Sequence, residues 1–107
     1  MLAHSVFFSL NDRSDAAVRK MLDACRNYLT SHPGIVFFAC GTPNQELTRP
    51  VNDRDFDVAL HIVFDSVEAH DAYQDAPLHH QFIGENKANW KLVRVFDANI
   101  EAPTTTG

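Results

Sequence analysis

The chain has 107 residues, and its 14 acidic against 9 basic side chains leave a formal net charge of −5. It lacks the basic stripe that a nucleic-acid backbone or an acidic membrane surface would attract, so neither is an expected partner. Hydrophobic residues make up 45% of the chain, with eight Phe among them; this is enough for a packed core, and no apolar run approaches the ~20 residues that cross a bilayer.

Ala3–Leu10, rich in Phe and Val, reads as a first strand. Asp12 or Ser14 then supplies an N-cap for a helix over about 14–30, where Ala17, Met21, Cys25, Tyr28 and Leu29 recur at helical spacing. His32-Pro33-Gly34 stops that helix, and Ile35–Gly41 is a second strand. Thr42–Arg54, with two prolines, is a polar loop. Phe56–Phe64 is a third strand, and Asp65 with Glu68 has capping-box spacing for a helix over about 66–76. Pro77 interrupts, Leu78–Asn86 forms another short turn or helix, and Trp90–Asp97 is the last strand. The order is β-α-β-β-α-β, the α+β ferredoxin-like arrangement with a four-stranded antiparallel sheet and helices on one face. It is read as one domain over 1–100, followed by a loose tail, Glu101–Gly107.

Strand alternation carries a further expectation. His4, Val6, Phe8 and Leu10 share one face with Val58, Leu60, Ile62, Phe64, Val93 and Val95; Val36, Phe38 and Cys40 join them by parity. The opposite face carries Ser5, Phe7, Ile35, Phe37, His61, Leu92, Arg94 and Phe96, and it is also largely apolar. Helices cover only one face, so the other calls for a second copy: a homodimer through the face bearing Phe7, Phe37, His61 and Phe96. His61 against its two-fold mate would make that assembly sensitive to pH, and Arg94 is expected to pair with an acid or an edge group there.

The stretch FDSVEAHDAYQDAPLHHQF, from Phe64 to Phe82, places a phenol and an imidazole six residues apart across a proline turn. Tyr73 and His79 can converge on one pocket, as catalytic groups, as holders of a small apolar ligand, or as caps on the core. An imidazole exchanges protons near neutral pH, and a phenol donates well to developing oxyanion charge. His4, on the helix-facing side of the first strand, can tune His79 or touch the ligand. Phe8, Met21, Cys25, Phe38, Val58, Leu60, Phe82, Trp90, Val93 and Val95 are the apolar candidates for the walls.

No HxxxH, HExxH or Cys/His finger spacing is present, and no metal site is expected. GxGxxG and P-loop patterns are absent too, so no nucleotide-type cofactor is expected. Cys25 and Cys40 read as free thiols in a reducing, cytoplasmic compartment, and MLAHSVFF does not read as a signal peptide.

HSVFFSL, HPGIVFFACG, DVALHIVFDSVEAHDAY, APLHHQF and VRVFD, in that order and spacing, resemble the stress-responsive A/B barrel (Dabb) family of dimeric α+β barrels. The resemblance implies two βαββαβ protomers whose sheets face each other. Its members include proteins without assigned chemistry and a plant polyketide cyclase, olivetolic acid cyclase. That enzyme's Tyr-x-x-x-Pro-x-His pattern matches Tyr73, Pro77 and His79, and a family histidine in the first strand matches His4. The cyclase's histidine in the third strand is matched here by Val58. The resemblance thus implies a homodimer of undefined biochemical role, with a cofactor-independent cyclase, isomerase or monooxygenase as the enzymatic alternative.

Overall fold

The computed structural model describes residues 1–101 and 103. Most of the expected tail therefore lies outside the described residues. The strands are β1 (Leu2–Leu10), β2 (Ile35–Gly41), β3 (Val58–Phe64) and β4 (Trp90–Asn99). The helices are α1 (Asp15–Leu29), α2 (Val67–Asp75) and α3 (Pro77–Asn86), with a single 3-10 turn at Lys87–Asn89 before β4. The sheet order is β2-β3-β1-β4, and all three pairings are antiparallel. Among the described residues, no helix is long and apolar enough to cross a membrane.

Capping decides where the helices begin. Ser14 is the N-cap of α1: its hydroxyl accepts the Ala17 N–H at 3.2 Å, while Asp12 accepts the Ser14 N–H at 3.0 Å. The Asp65/Glu68 box does not form. Ser66 caps α2 instead, accepting from Ala69 N–H at 3.1 Å and donating its own hydroxyl to Asp65 at 3.0 Å. The Asp65 backbone stays paired with the preceding turn, its N–H donating to the Gly34 carbonyl at 2.8 Å. Gly34 has φ +88°, and a Cβ there would collide with the Ala69 methyl. Only glycine lets the His32–Gly34 turn pass this close to α2.

Ala76 closes α2 and opens α3 in extended conformation, as the residue before a proline prefers, with Pro77 in the first turn of α3. This corner turns α3 back over the sheet and carries His79 to Tyr73.

Two bulges modify simple alternation. In β2 the register shifts between Ile35 and Phe37, so Ile35 pairs with Phe64 while Phe38 pairs with Ile62. Ile35 therefore packs on the core side and Val36 is exposed, the reverse of what parity assigned them. In β4 the shift lies opposite Ser9 and Leu10, so Trp90 pairs with Leu10 and joins Val93 and Val95 on the helix side. The third strand begins at Val58 because Asp57 is used otherwise. Its N–H donates to the Phe8 carbonyl, and its carboxylate accepts from Leu10 N–H and Arg13 Nε, at 2.8, 2.8 and 2.9 Å.

The core lies between the sheet and the helices. Val58, Phe64, Cys25 and Leu29 are wholly buried there, with Leu60 and Ile62 nearly so. On the opposite face Phe37, Leu92 and Phe96 are each about half exposed. The loop Thr42–Arg54 ends against that open face. Arg94 donates to the Asp53 carboxylate at 2.6 Å and to the Asp55 carbonyl at 3.2 Å, and the Phe56 ring meets Phe7 edge-on at 5.0 Å.

Candidate functional site

A cavity of about 150 Å³ opens between β1, β3 and β4 on one side and α2 and α3 on the other. His4, Tyr73 and His79 all line it. Of the expected wall residues, Phe8, Leu60, Phe82, Trp90, Val93 and Val95 line it as well. Met21, Cys25, Phe38 and Val58 do not. They point to the correct side of the sheet but lie beneath or within α1, which contributes no residue to the cavity. Met21 reaches Trp90 from behind, with its sulfur accepting from the indole N–H at 3.5 Å. Nor does any residue of Thr42–Arg54 line the cavity.

Tyr73 and His79 are brought together. Their ring centroids lie 4.7 Å apart in an edge-on arrangement, and both side chains are buried. Tyr73 is further boxed in by Phe64 at 5.1 Å and His32 at 5.0 Å. His32 is held by donating to the Tyr28 carbonyl at 2.8 Å. Burial pushes the Tyr73 phenol far above its ordinary pKa, so it keeps its proton and acts as a donor. Burial also pulls the His79 imidazole down to about 4, assisted by the neighbouring His80, His4, His32 and His70. His79 is therefore neutral at pH 7. Its Nδ1 is buried without a hydrogen-bond partner, in a protein interior where such atoms are rarely left unpaired.

His4 does not reach His79. Its Nδ1 donates to Asp97 Oδ1 at 2.5 Å, a contact made possible because the two residues are direct partners in the β1–β4 ladder. Desolvation lowers the His4 pKa, and Asp97 opposes that shift. The ring also stands 5.9 Å from Tyr73 and 4.9 Å from His70.

Sequence reasoning missed Val6, Gln74 and Ile83 among the cavity residues, and Asp97 as the partner of His4. Val6 shares the parity of His4 and Phe8, and Asp97 shares that of Val93 and Val95, so alternation carried both signals. An acid at the end of an apolar strand face was the overlooked cue. Gln74 and Ile83 depend on how the helices dock and had no comparable signal.

A βαββαβ sheet with helices on one side and a small, mostly apolar cavity between them defines a ferredoxin-like α+β domain. The chain matches the stress responsive A/B barrel domain, Dabb, over residues 2–100, and it belongs to that family. No curated protein matches it in sequence. Among solved structures, a Dabb family protein from Mesorhizobium loti with a ferredoxin-like fold superposes with a TM-score of 0.76 at 18% identity, covering 94% of this chain and 97% of its own. A dimeric ferredoxin-like protein of unknown function from Thermobifida fusca gives 0.75 at 18% identity, over 92% and 90%. The hydroxynitrile lyase from Passiflora edulis gives 0.74 at 20% identity, over 97% and 96%. The fold thus accommodates an enzyme as well as proteins without known activity.

Proposed function

We propose that this Dabb protein is a homodimer that binds one small, largely apolar molecule per protomer between its sheet and helices. The observation that carries the reading is a cavity lined by His4, Tyr73 and His79 and otherwise walled by apolar residues such as Phe8, Leu60, Phe82 and Val93, with His79 Nδ1 buried and unpartnered beside it. A buried polar atom without a partner costs ~1–3 kcal/mol, and a ligand that hydrogen-bonds to it recovers that cost. A cavity of about 150 Å³ has room for a molecule about the size of benzene. The ligand class is therefore a compact ring or short chain bearing one hydroxyl or carbonyl group.

The dimer would form through the open sheet face, where Phe7, Phe37, His61 and Phe96 lie. Support comes from the uncovered aromatic surface on that face and from the dimeric state of the Thermobifida fusca protein. Two free thiols, with Cys25 buried and pushed up to about 12, suit a reducing, cytoplasmic setting.

The second reading is a cofactor-independent enzyme, and the closeness of Tyr73 to His79 favours it. Tyr73 would donate to a carbonyl oxygen while neutral His79 takes a proton from the neighbouring carbon, enolising the substrate. Basicity as low as that of His79 makes proton abstraction weak and hydrogen bonding sufficient, which is why binding is placed first.

A thermal-shift screen with phenol and cyclohexanone tests the binding reading. Binding predicts stabilisation of the wild type that His79→Ala abolishes. If the variant melts earlier and neither probe distinguishes it from the wild type, His79 is a packing residue and the binding reading falls.

A further inference from the structure

Three side chains from three separate elements meet beside the cavity: His4 of β1, His70 of α2 and Asp97 of β4. One ligand-competent atom from each lies within 4.8 Å of the other two. We propose that these residues form a binding site for one divalent transition-metal ion, with zinc as the reference ion. This inference does not rest on the small-molecule reading above.

The donor chemistry is specific. Two imidazoles and one carboxylate, with no sulfur, suit Zn²⁺, Co²⁺, Ni²⁺ or Fe²⁺ rather than the all-oxygen cages that Ca²⁺ or Mg²⁺ take. Metal–nitrogen and metal–oxygen bonds are about 2.0–2.2 Å, so donors on opposite sides of an ion stand roughly 4 Å apart. The observed spread of at most 4.8 Å exceeds that by less than about 1 Å, and an ion held through His4 Nδ1 takes the place of the proton it donates to Asp97, with the two side chains moving apart from 2.5 Å. Three protein ligands leave at least one coordination position open, the pattern of reactive rather than purely structural zinc sites.

The surroundings of His70 support the assignment. Its Nδ1 donates to the Asp71 carboxylate at 3.1 Å, which leaves the lone pair on Nε2. The Gln74 amide donates weakly to that Nε2 at 3.5 Å, a contact at the limit of hydrogen-bond length that an ion would displace. A carboxylate behind the imidazole is the outer partner that metal-bound histidines usually have. Burial is graded across the site: His4 is buried, His70 half-buried and Asp97 exposed. One ligand is thus anchored in the core while the carboxylate faces solvent, giving an ion a path in. His4 also lines the cavity, so a bound ion stands at its edge.

The test uses the full chain stripped of metal with a chelator and dialysed. Zn²⁺ is titrated calorimetrically, and Co²⁺ is followed by its visible absorption. The expected result is one ion per chain. His70→Ala, at a half-buried position of α2, and Asp97→Asn should each weaken binding at least about 100-fold, the upper end of what losing even an outer partner costs. His79→Gln should leave binding unchanged, which separates this site from the proposed ligand pocket. No ion bound by the wild type, or affinity within threefold of wild type in both His70→Ala and Asp97→Asn, overturns the proposal.

Discussion

The two faces of the sheet are both apolar, yet they end in different states. On the helix side, Val6, Phe8, Leu60, Ile62 and Phe64 are each 5% exposed or less. On the other side, Phe37 and Phe96 remain 56% and 55% exposed, although Phe96 and His61 each pack against Phe7 at 5.8 Å. Similar strand composition thus has two outcomes, because the helices cover the β1 and β3 part of one face, leaving Val93 and Val95 at the β4 edge exposed, and only the loop end around Asp53–Phe56 touches the other. The closed face provides the stability of the protomer and encloses its cavity. The open face is where the proposed association would remove apolar surface from water.

The comparison breaks most sharply at the closed face. Phe64→Ala should cost about 3–5 kcal/mol in chemical denaturation, since it empties a fully buried site beside Tyr73 and His70. A cost below about 1 kcal/mol would mean that this face is not the principal core. Phe96→Asp on the open face should leave the protomer folded but raise the dimer dissociation constant at least about 100-fold, roughly 2.8 kcal/mol. Sedimentation equilibrium reads this directly, and unchanged association would move the interface elsewhere.

A pH-dependent effect concerns His79. Its folded pKa of about 4 lies below the ordinary imidazole value of 6.5, so the unfolded chain binds more protons between those values. The neutral imidazole's contribution is therefore complete above pH 6.5 and is lost as pH falls toward 4, at up to about 1.4 kcal/mol per pH unit. The groups around it are His80 on α3, His4, His32, His70 and the Tyr73 phenol. Stability followed in chelator from pH 7 to 4 should show a shallower slope in His79→Gln, and equal slopes would remove His79 as the source.

Much of the fold was legible because its signals are local. The His32–Gly34 stop, the Ser14 cap option and the Pro77 break mark element ends through short-range backbone chemistry. Period-two alternation sorted β1 and β3 correctly because neither strand's residues are displaced in their shared ladder. The same rule misplaced Ile35 and Val36, since one extra residue in β2 reverses the face of everything before it. Ser66 takes the cap in place of Asp65, whose backbone is paired with the Gly34 turn.

The site divides in the same way. Tyr73 and His79 were legible as a pair because a helix, a proline corner and one further turn separate them, and local geometry governs that distance. Met21, Cys25, Phe38 and Val58 were assigned to the correct layer but the wrong compartment, since face parity does not say which helix lies above a strand. His4, His70 and Asp97 are remote in sequence, and no short motif links them.

The sequence by itself therefore determined the βαββαβ order, the apolar character of both sheet faces and the Tyr73–His79 spacing, all of which depend on neighbouring residues. The tertiary structure decided where the bulges fall, which half of the inner face holds a cavity, and that an imidazole from β1, another from α2 and a carboxylate from β4 share one corner. Those outcomes depend on strand register and helix docking, where contacts between distant segments outweigh local preference.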